Sequence, residues 1–92
     1  MRPIKTEQVI FSGKVQGVGF QYTVRSIAKR HPVKGYVKNL PDGTVELVMQ
    51  GEASAMNALV ADVAEYFRDN IDDCQRCARE TEDEFMYFEI RH

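Results

Sequence analysis

Two stretches with helical spacing of apolar residues, each framed by short stretches with strand character, limit this chain to few folds. From Phe20 to about Arg30 the apolar residues fall at Phe20, Val24, Ile27 and Ala28, which puts one face of a helix on a core. His31-Pro32 ends it, because the residue before a proline disfavours helical geometry. Between Gly51 and about Asp69 the pattern returns at Met56, Leu59, Val60, Val63, Ala64 and Phe67, with Ser54 as the expected N-cap. Ahead of the first helix, Gln8 to Ser12 contains the β-favouring run Val9, Ile10, Phe11 and stops at Gly13. Between the helices, Gly35 to Asn39 and Thr44 to Gln50 read as strands, with Val45, Leu47 and Met49 on one face of the second. Leu40-Pro41-Asp42-Gly43 joins them. Proline fixes φ and glycine accepts a positive φ, so a hairpin is predicted. The tail offers two further strands, about Cys74 to Thr81 and Phe85 to Ile90. The acidic stretch Glu80 to Glu84 between them reads as a solvated hairpin turn and a guard against edge pairing.

This order is β-α-β-β-α-β with an extra C-terminal strand. It predicts a ferredoxin-like α+β sandwich, two helices on one face of an antiparallel sheet. At 92 residues with no repeat and no Pro/Gly/Ser linker, the expectation is a single domain over 1-92 with its core from about 8 to 91. The order implies no function, since unrelated activities share the architecture.

Charge narrows the partners. Twelve Lys and Arg against fourteen Asp and Glu leave a net −2, which excludes a general field drawing the chain to nucleic acid or anionic lipid. Any bound anion must be caught by a local arrangement. The RNA recognition motif shares this sandwich, but no strand here carries its stacking-aromatic pattern, so nucleic acid is not an expected partner. Met1 to Gln8 lacks the apolar centre of a signal peptide, and no stretch approaches the roughly 18 apolar residues of a membrane helix. No membrane partner is expected, and the cytoplasm is the expected compartment, with reduced thiols. Cys74-Gln75-Arg76-Cys77 has the spacing of half a zinc site, but no second pair exists. A redox motif of this kind would begin a helix rather than lie in a strand. No metal is therefore expected, and one cysteine should face the core while the other is exposed.

The segment that carries chemistry is Gly13-Lys14-Val15-Gln16-Gly17-Val18-Gly19-Phe20-Gln21, where a strand hands over to a helix. Backbone N–H groups at a helix N-terminus have no intrahelical partners and sit at the positive end of the helix dipole, so a phosphate can be held there. Gly17 and Gly19 allow those groups to curl inward as a nest. The segment is not a P-loop, because the closing Gly-Lys-Ser/Thr is missing, and Gly-x-Gly-x-x-Gly fails at Tyr22. By itself it is equally a tight turn, as Asn39 by itself is a residue entering the turn at Pro41.

The whole string resembles the acylphosphatase signature Gly-x-Val-Gln-Gly-Val-x-Phe-Arg, through Gly13, Val15, Gln16, Gly17, Val18 and Phe20. Gly35-Tyr36-Val37-Lys38-Asn39 followed by Asp42-Gly43-Thr44-Val45-Glu46 resembles that family's second signature, and Gly51-Glu52 opens the second helix as such chains do. The likeness covers about residues 8 to 91. It implies a small, monomeric, metal-free and cofactor-free hydrolase that cleaves the carboxyl–phosphate anhydride of small-molecule acyl phosphates and releases inorganic phosphate. Carried over residue by residue, it implies that Val15, Gln16, Gly17, Val18, Gly19 and Phe20 cradle the phosphoryl oxygens. Asn39 would position the attacking water. Gln21 stands where the family has the arginine that clamps phosphate and balances charge as the bond breaks. Glutamine supplies a neutral amide in place of a charged, two-pronged donor, so impaired turnover is expected. Arg25, one turn later on the same side of the helix, is a solvated helix residue or an auxiliary cation reaching back toward the loop. Lys14 and Lys38 flank the two motifs. The alternative function is a non-catalytic module that keeps the cradle and binds phosphate or acyl phosphate.

Overall fold

A computed structural model describes residues 4–81 and 83–92. The start of the N-terminal segment, Met1 to Pro3, and Glu82 of the acidic stretch lie outside the described residues. The elements run β1 (Lys5–Gly13), α1 (Phe20–Ala28), β2 (Lys34–Asn39), β3 (Val45–Gly51), α2 (Ala53–Tyr66), β4 (Ile71–Arg79) and β5 (Phe88–Arg91). The β-α-β-β-α-β order with an added strand is the one the periodicities predict. The strands form one sheet in the order β4-β1-β3-β2-β5.

One cluster of buried side chains fills the space between sheet and helices. Val9 and Phe11 of β1, Val37 of β2 and Val45, Leu47 and Met49 of β3 meet Phe20, Val24 and Ile27 of α1 and Met56, Leu59 and Val63 of α2. These are the residues whose spacing set the element assignments. Their alternation leaves Thr6, Gln8, Tyr36, Lys38, Glu46, Val48 and Gln50 on the face of the sheet away from the helices.

Both helices end before their predicted bounds, α1 at Ala28 rather than about Arg30 and α2 at Tyr66 rather than about Asp69. At the end of α1, the Arg30 and His31 N–H groups turn back to the Ile27 and Ala28 carbonyls, so the last turn tightens before Pro32. In α2 the N-cap is Glu52 rather than Ser54, which sits inside the first turn.

The tail departs most from expectation. The four-strand body β4-β1-β3-β2 is antiparallel, whereas β5 pairs parallel with β2, Tyr36 opposite Glu89 and Val37 opposite Ile90. The sheet is therefore mixed. β4 and β5 occupy opposite edges, so Glu80 to Glu84 is not a hairpin turn, although Glu80, Asp83 and Glu84 are solvent-exposed as read. The intervening chain crosses the helix-free face of the sheet. Thr81 and Thr6 hydroxyls share a 2.8 Å hydrogen bond, and Phe85 packs edge-on against the Tyr36 ring at 6.0 Å. Gln50 is the rivet: its amide donates to Thr6 Oγ1 (3.1 Å) and to the Asp83 carbonyl (2.7 Å), and its carbonyl accepts from the Phe85 N–H (2.9 Å). Sequence periodicity could not show this crossing, because a strand's own pattern does not name its neighbour. Gln50 is only 4% exposed, so Gln50→Leu strands three polar partners. It is expected to lower stability by about 2 kcal/mol, read by urea unfolding, and to expose the crossing segment to limited proteolysis.

Candidate active site

The loop between β1 and α1 is fixed at both ends before it makes its turn. At its entrance, the Lys14 N–H donates to the Asn70 carbonyl (2.8 Å) and the Asn70 side-chain amide donates to the Lys14 carbonyl (3.1 Å). Gly13 sits at this junction with φ +118°, where a Cβ would lie 2.3 Å from the Asn70 oxygen and 2.7 Å from the Asp72 nitrogen. Val15 is fully buried. At the exit, Phe20 inserts into the core, its ring 5.3 Å from Phe11 and 4.5 Å from Phe67. Burying a phenylalanine contributes roughly 1.5–3 kcal/mol, which anchors the first residue of α1.

Between these anchors, Gly17 and Gly19 both adopt left-handed backbone, with φ +76° and +75°. A Cβ at either would meet nothing within 4 Å, so backbone conformation and not lack of room calls for glycine. Gly19 is the N-cap of α1, and no side chain caps it. The first N–H groups of α1 are thus left for water or an anion, at the positive end of the helix dipole. Gly17, Val18 and Gly19 are exposed. The loop is open to solvent at these three residues.

Gln16 joins this loop to the second motif. Its side-chain amide donates to the carbonyls of both Leu40 and Thr44, each at 2.9 Å, at the mouth of the β2–β3 hairpin. Asn39, the residue before Leu40, ends β2 and is exposed. The turn itself is pinned by Asp42, whose carboxylate accepts from the Thr44 hydroxyl (2.6 Å) and N–H (3.0 Å). Those two bonds hold the Asp42 carboxyl below its ordinary range, the hydroxyl having the larger effect. Residues 24 and 28 positions apart in sequence thus meet through one side chain.

A family model described as Acylphosphatase matches residues 7–90. This chain belongs to the acylphosphatase family. Over 59 residues it is 51% identical to an acylphosphatase of Rubrobacter xylanophilus, covering 64% of this chain and 54% of that protein. Over 61 residues it is 41% identical to an acylphosphatase of Methanospirillum hungatei, covering 66% of this chain and 67% of that one. The matches thus span roughly half to two thirds of these relatives' lengths. The crystal structure of acylphosphatase from Bacillus subtilis superposes with a TM-score of 0.85 at 28% identity, covering 96% of this chain and 99% of that one.

The structure gives the glutamine at position 21 a partner. The Gln21 amide reaches the carbonyl of Arg91 in β5 at 3.4 Å, a long hydrogen bond. The Arg91 guanidinium lies on the helix-free face, 4.1 Å from the centre of the Tyr36 ring and 3.2 Å from a Glu89 oxygen. Arg25 stacks over the exposed Tyr22 ring at 5.3 Å, within the same helix. Lys38 faces away from the helices, opposite Glu46 of β3, while Asn39 points to the helix side. Lys14 is exposed at the entrance of the loop.

Sequence reading missed Asn70 and Arg91. Neither belongs to a local pattern: Asn70 bonds the backbone of Lys14, and Arg91 offers its own backbone carbonyl to the Gln21 side chain, each partner lying far away in the chain. A cleft of about 750 Å³ lies under the crossing segment, lined by Tyr36, Arg79, Glu80, Phe85, Glu89 and Arg91 among others, and by none of the cradle residues. Its lining carries more carboxylates than guanidiniums, which disfavours an anion there. Among the described residues no group of His, Cys, Asp and Glu could hold a metal ion, and no helix is long and apolar enough to cross a membrane. Cys74 packs against the core and Cys77 is exposed, the division expected of the pair. Burial pushes the Cys74 thiol up from its ordinary value. Alkylation followed by mass spectrometry is expected to label Cys77 first and Cys74 more slowly in the folded protein.

Proposed function

We propose that this chain hydrolyses small-molecule acyl phosphates to carboxylate and inorganic phosphate, with turnover held down by the neutral Gln21. The observation that carries the reading is the exposed cradle at the N-terminus of α1, tied by Gln16 to the strand end bearing Asn39. In this reading the N–H groups of residues 15–20 hold the phosphoryl oxygens and Asn39 orients a water for in-line attack. A bond forms from the water oxygen to phosphorus as the phosphorus–oxygen bond to the acyl group breaks. The electron pair leaves on the carboxylate, and the water's proton passes to product phosphate or solvent. Positioning and electrostatic stabilisation do most of the work in such a transfer. Fixed backbone dipoles supply both without metal or cofactor, as the family resemblance implies. The working unit in this reading is a monomer comprising one domain, acting in the cytoplasm.

A second reading, a phosphate-binding module without turnover, is favoured by the Gln21 amide being directed to the Arg91 carbonyl. Two measurements separate them. Inorganic phosphate titrated against the backbone amide signals of residues 15–20 should shift those signals in either reading; no shift at high phosphate would refute both. Release of phosphate from benzoyl phosphate above the spontaneous rate, lost in Asn39→Ala, supports the hydrolase. Phosphate binding without such release supports the module.

A further inference from the structure

Resting on the hydrolase reading, we infer that the Gln16 side chain is a positioning group that sets Asn39 against the cradle, while only the Gln16 backbone N–H takes part in holding the phosphate. The side-chain amide of Gln16 has two N–H donors, and two carbonyls receive them, Leu40 and Thr44 at 2.9 Å each. Both carbonyls are already hydrogen-bonded within the hairpin: Leu40 accepts from the Gly43 N–H (3.2 Å) and Thr44 from the Leu40 N–H (2.9 Å). Gln16 takes the remaining acceptor capacity of both, so the hairpin mouth has one docked arrangement against the loop. Leu40 follows Asn39 directly, and Gly17, the first left-handed residue of the cradle, follows Gln16 directly. The path from anion site to water-orienting amide is thus one residue on each side of a doubly bonded contact. With both donors committed to backbone carbonyls, the Gln16 side chain has none left for a phosphoryl oxygen. Its effect must therefore pass through Asn39.

The contact constrains what may replace Gln16. A methionine matches its length and lacks both donors, and a glutamate would oppose two carbonyl oxygens with a carboxylate. The hairpin remains a hairpin in either case, because its ladder to β3 and the Asp42 pin do not involve Gln16. What is lost is the fixed separation between strand end and cradle.

The test uses Gln16→Met, Asn39→Ala and the double variant, made in the native chain and in Gln21→Arg, with benzoyl phosphate as substrate and inorganic phosphate as competitive inhibitor. Thermal melts are run on each variant to verify folding. Gln16→Met is expected to lower kcat by roughly 10²-fold, the scale of a small misplacement of a reacting group. The inhibition constant of phosphate should move by less than about 3-fold, since the cradle is untouched. In the Asn39→Ala background, Gln16→Met should cost less than about 3-fold more, because both changes remove the same function. Full additivity would overturn the inference, as would a loss of phosphate affinity that tracks the loss of kcat. Should neither background hydrolyse benzoyl phosphate, the hydrolase reading fails separately, and a binding measurement decides the Gln16 contact. The Asn39 side-chain amide signals should then shift with inorganic phosphate in the native chain and cease to do so in Gln16→Met; an unchanged response in that variant overturns the contact's role.

Discussion

Replacing Gln21 with arginine is expected to raise kcat/KM for acyl phosphate hydrolysis by roughly 10³-fold or more, the lower end of what a supplied arginine contributes to phosphoryl transfer. The argument is one of charge and geometry. Gln21 occupies the first turn of α1, beside the exposed N–H groups, and offers one neutral amide at present directed to the Arg91 carbonyl. A guanidinium there would present two parallel donors and a permanent positive charge to a phosphoryl group that gains negative charge toward the acyl oxygen as the bond breaks. Lysine at the same position should recover less, because it is a point charge that cannot bind two oxygens in a plane. Steady-state kinetics on the native chain and the two variants reads the order Arg above Lys above Gln. Equal rates for the native chain and Gln21→Arg would mean that the charge is not the missing part. Arg25→Ala is then the informative variant, since it tests whether Arg25, stacked on Tyr22 one turn away, serves as an auxiliary cation or is only a solvated helix residue.

Gly13→Ala is expected to destabilise the fold by roughly 2–4 kcal/mol, combining a strained backbone conformation with overpacking against main chain. Its φ of +118° is one that side chains rarely adopt, and the added Cβ would fall 2.3 Å from one backbone atom and 2.7 Å from another. Neither neighbour can swing away as a side chain could. The strand–loop junction would have to open, breaking the reciprocal Lys14–Asn70 hydrogen bonds that fix the start of the cradle. Gly17→Ala is the matched comparison, since its Cβ meets open space and only the left-handed backbone is penalised, at about 1–2 kcal/mol. Urea unfolding of the two variants should separate by about 1 kcal/mol or more, with Gly13→Ala the weaker. Equal losses would show that the junction relaxes.

The parts legible in the sequence were those written in local periodicity. Phe20, Val24, Ile27 and Ala28 face the core as their spacing required, and Val45, Leu47 and Met49 do the same from β3. Pro41-Asp42-Gly43 made the turn that its chemistry demands. The two signatures were legible because each is contiguous and carries its own glycines. What local pattern could not convey was pairing at a distance. Nothing in Phe88-Glu89-Ile90-Arg91 says that it runs parallel to β2 rather than back along β4, because the partner is chosen by Gln50, Tyr36 and Thr6 holding the crossing chain. Likewise nothing in the motif says what the Gln16 side chain binds. Only the hairpin's approach revealed two carbonyls aimed at its amide.

That crossing has a consequence for the order in which the chain can acquire its structure. Because β4 and β5 lie at opposite edges, the residues after α2 complete both sides of the sheet, and the Thr6–Thr81 bond joins groups 75 residues apart. Pairings of such long sequence separation must close large loops before they are rewarded, so acquisition of the native state should be slow for a chain of this size, in the millisecond-to-second range rather than microseconds. During synthesis, β1 has no partner on its β4 side until Ile71–Arg79 has left the ribosome. The two motifs that meet at Gln16, both in the first half of the chain, are therefore made early and assembled against an incomplete sheet.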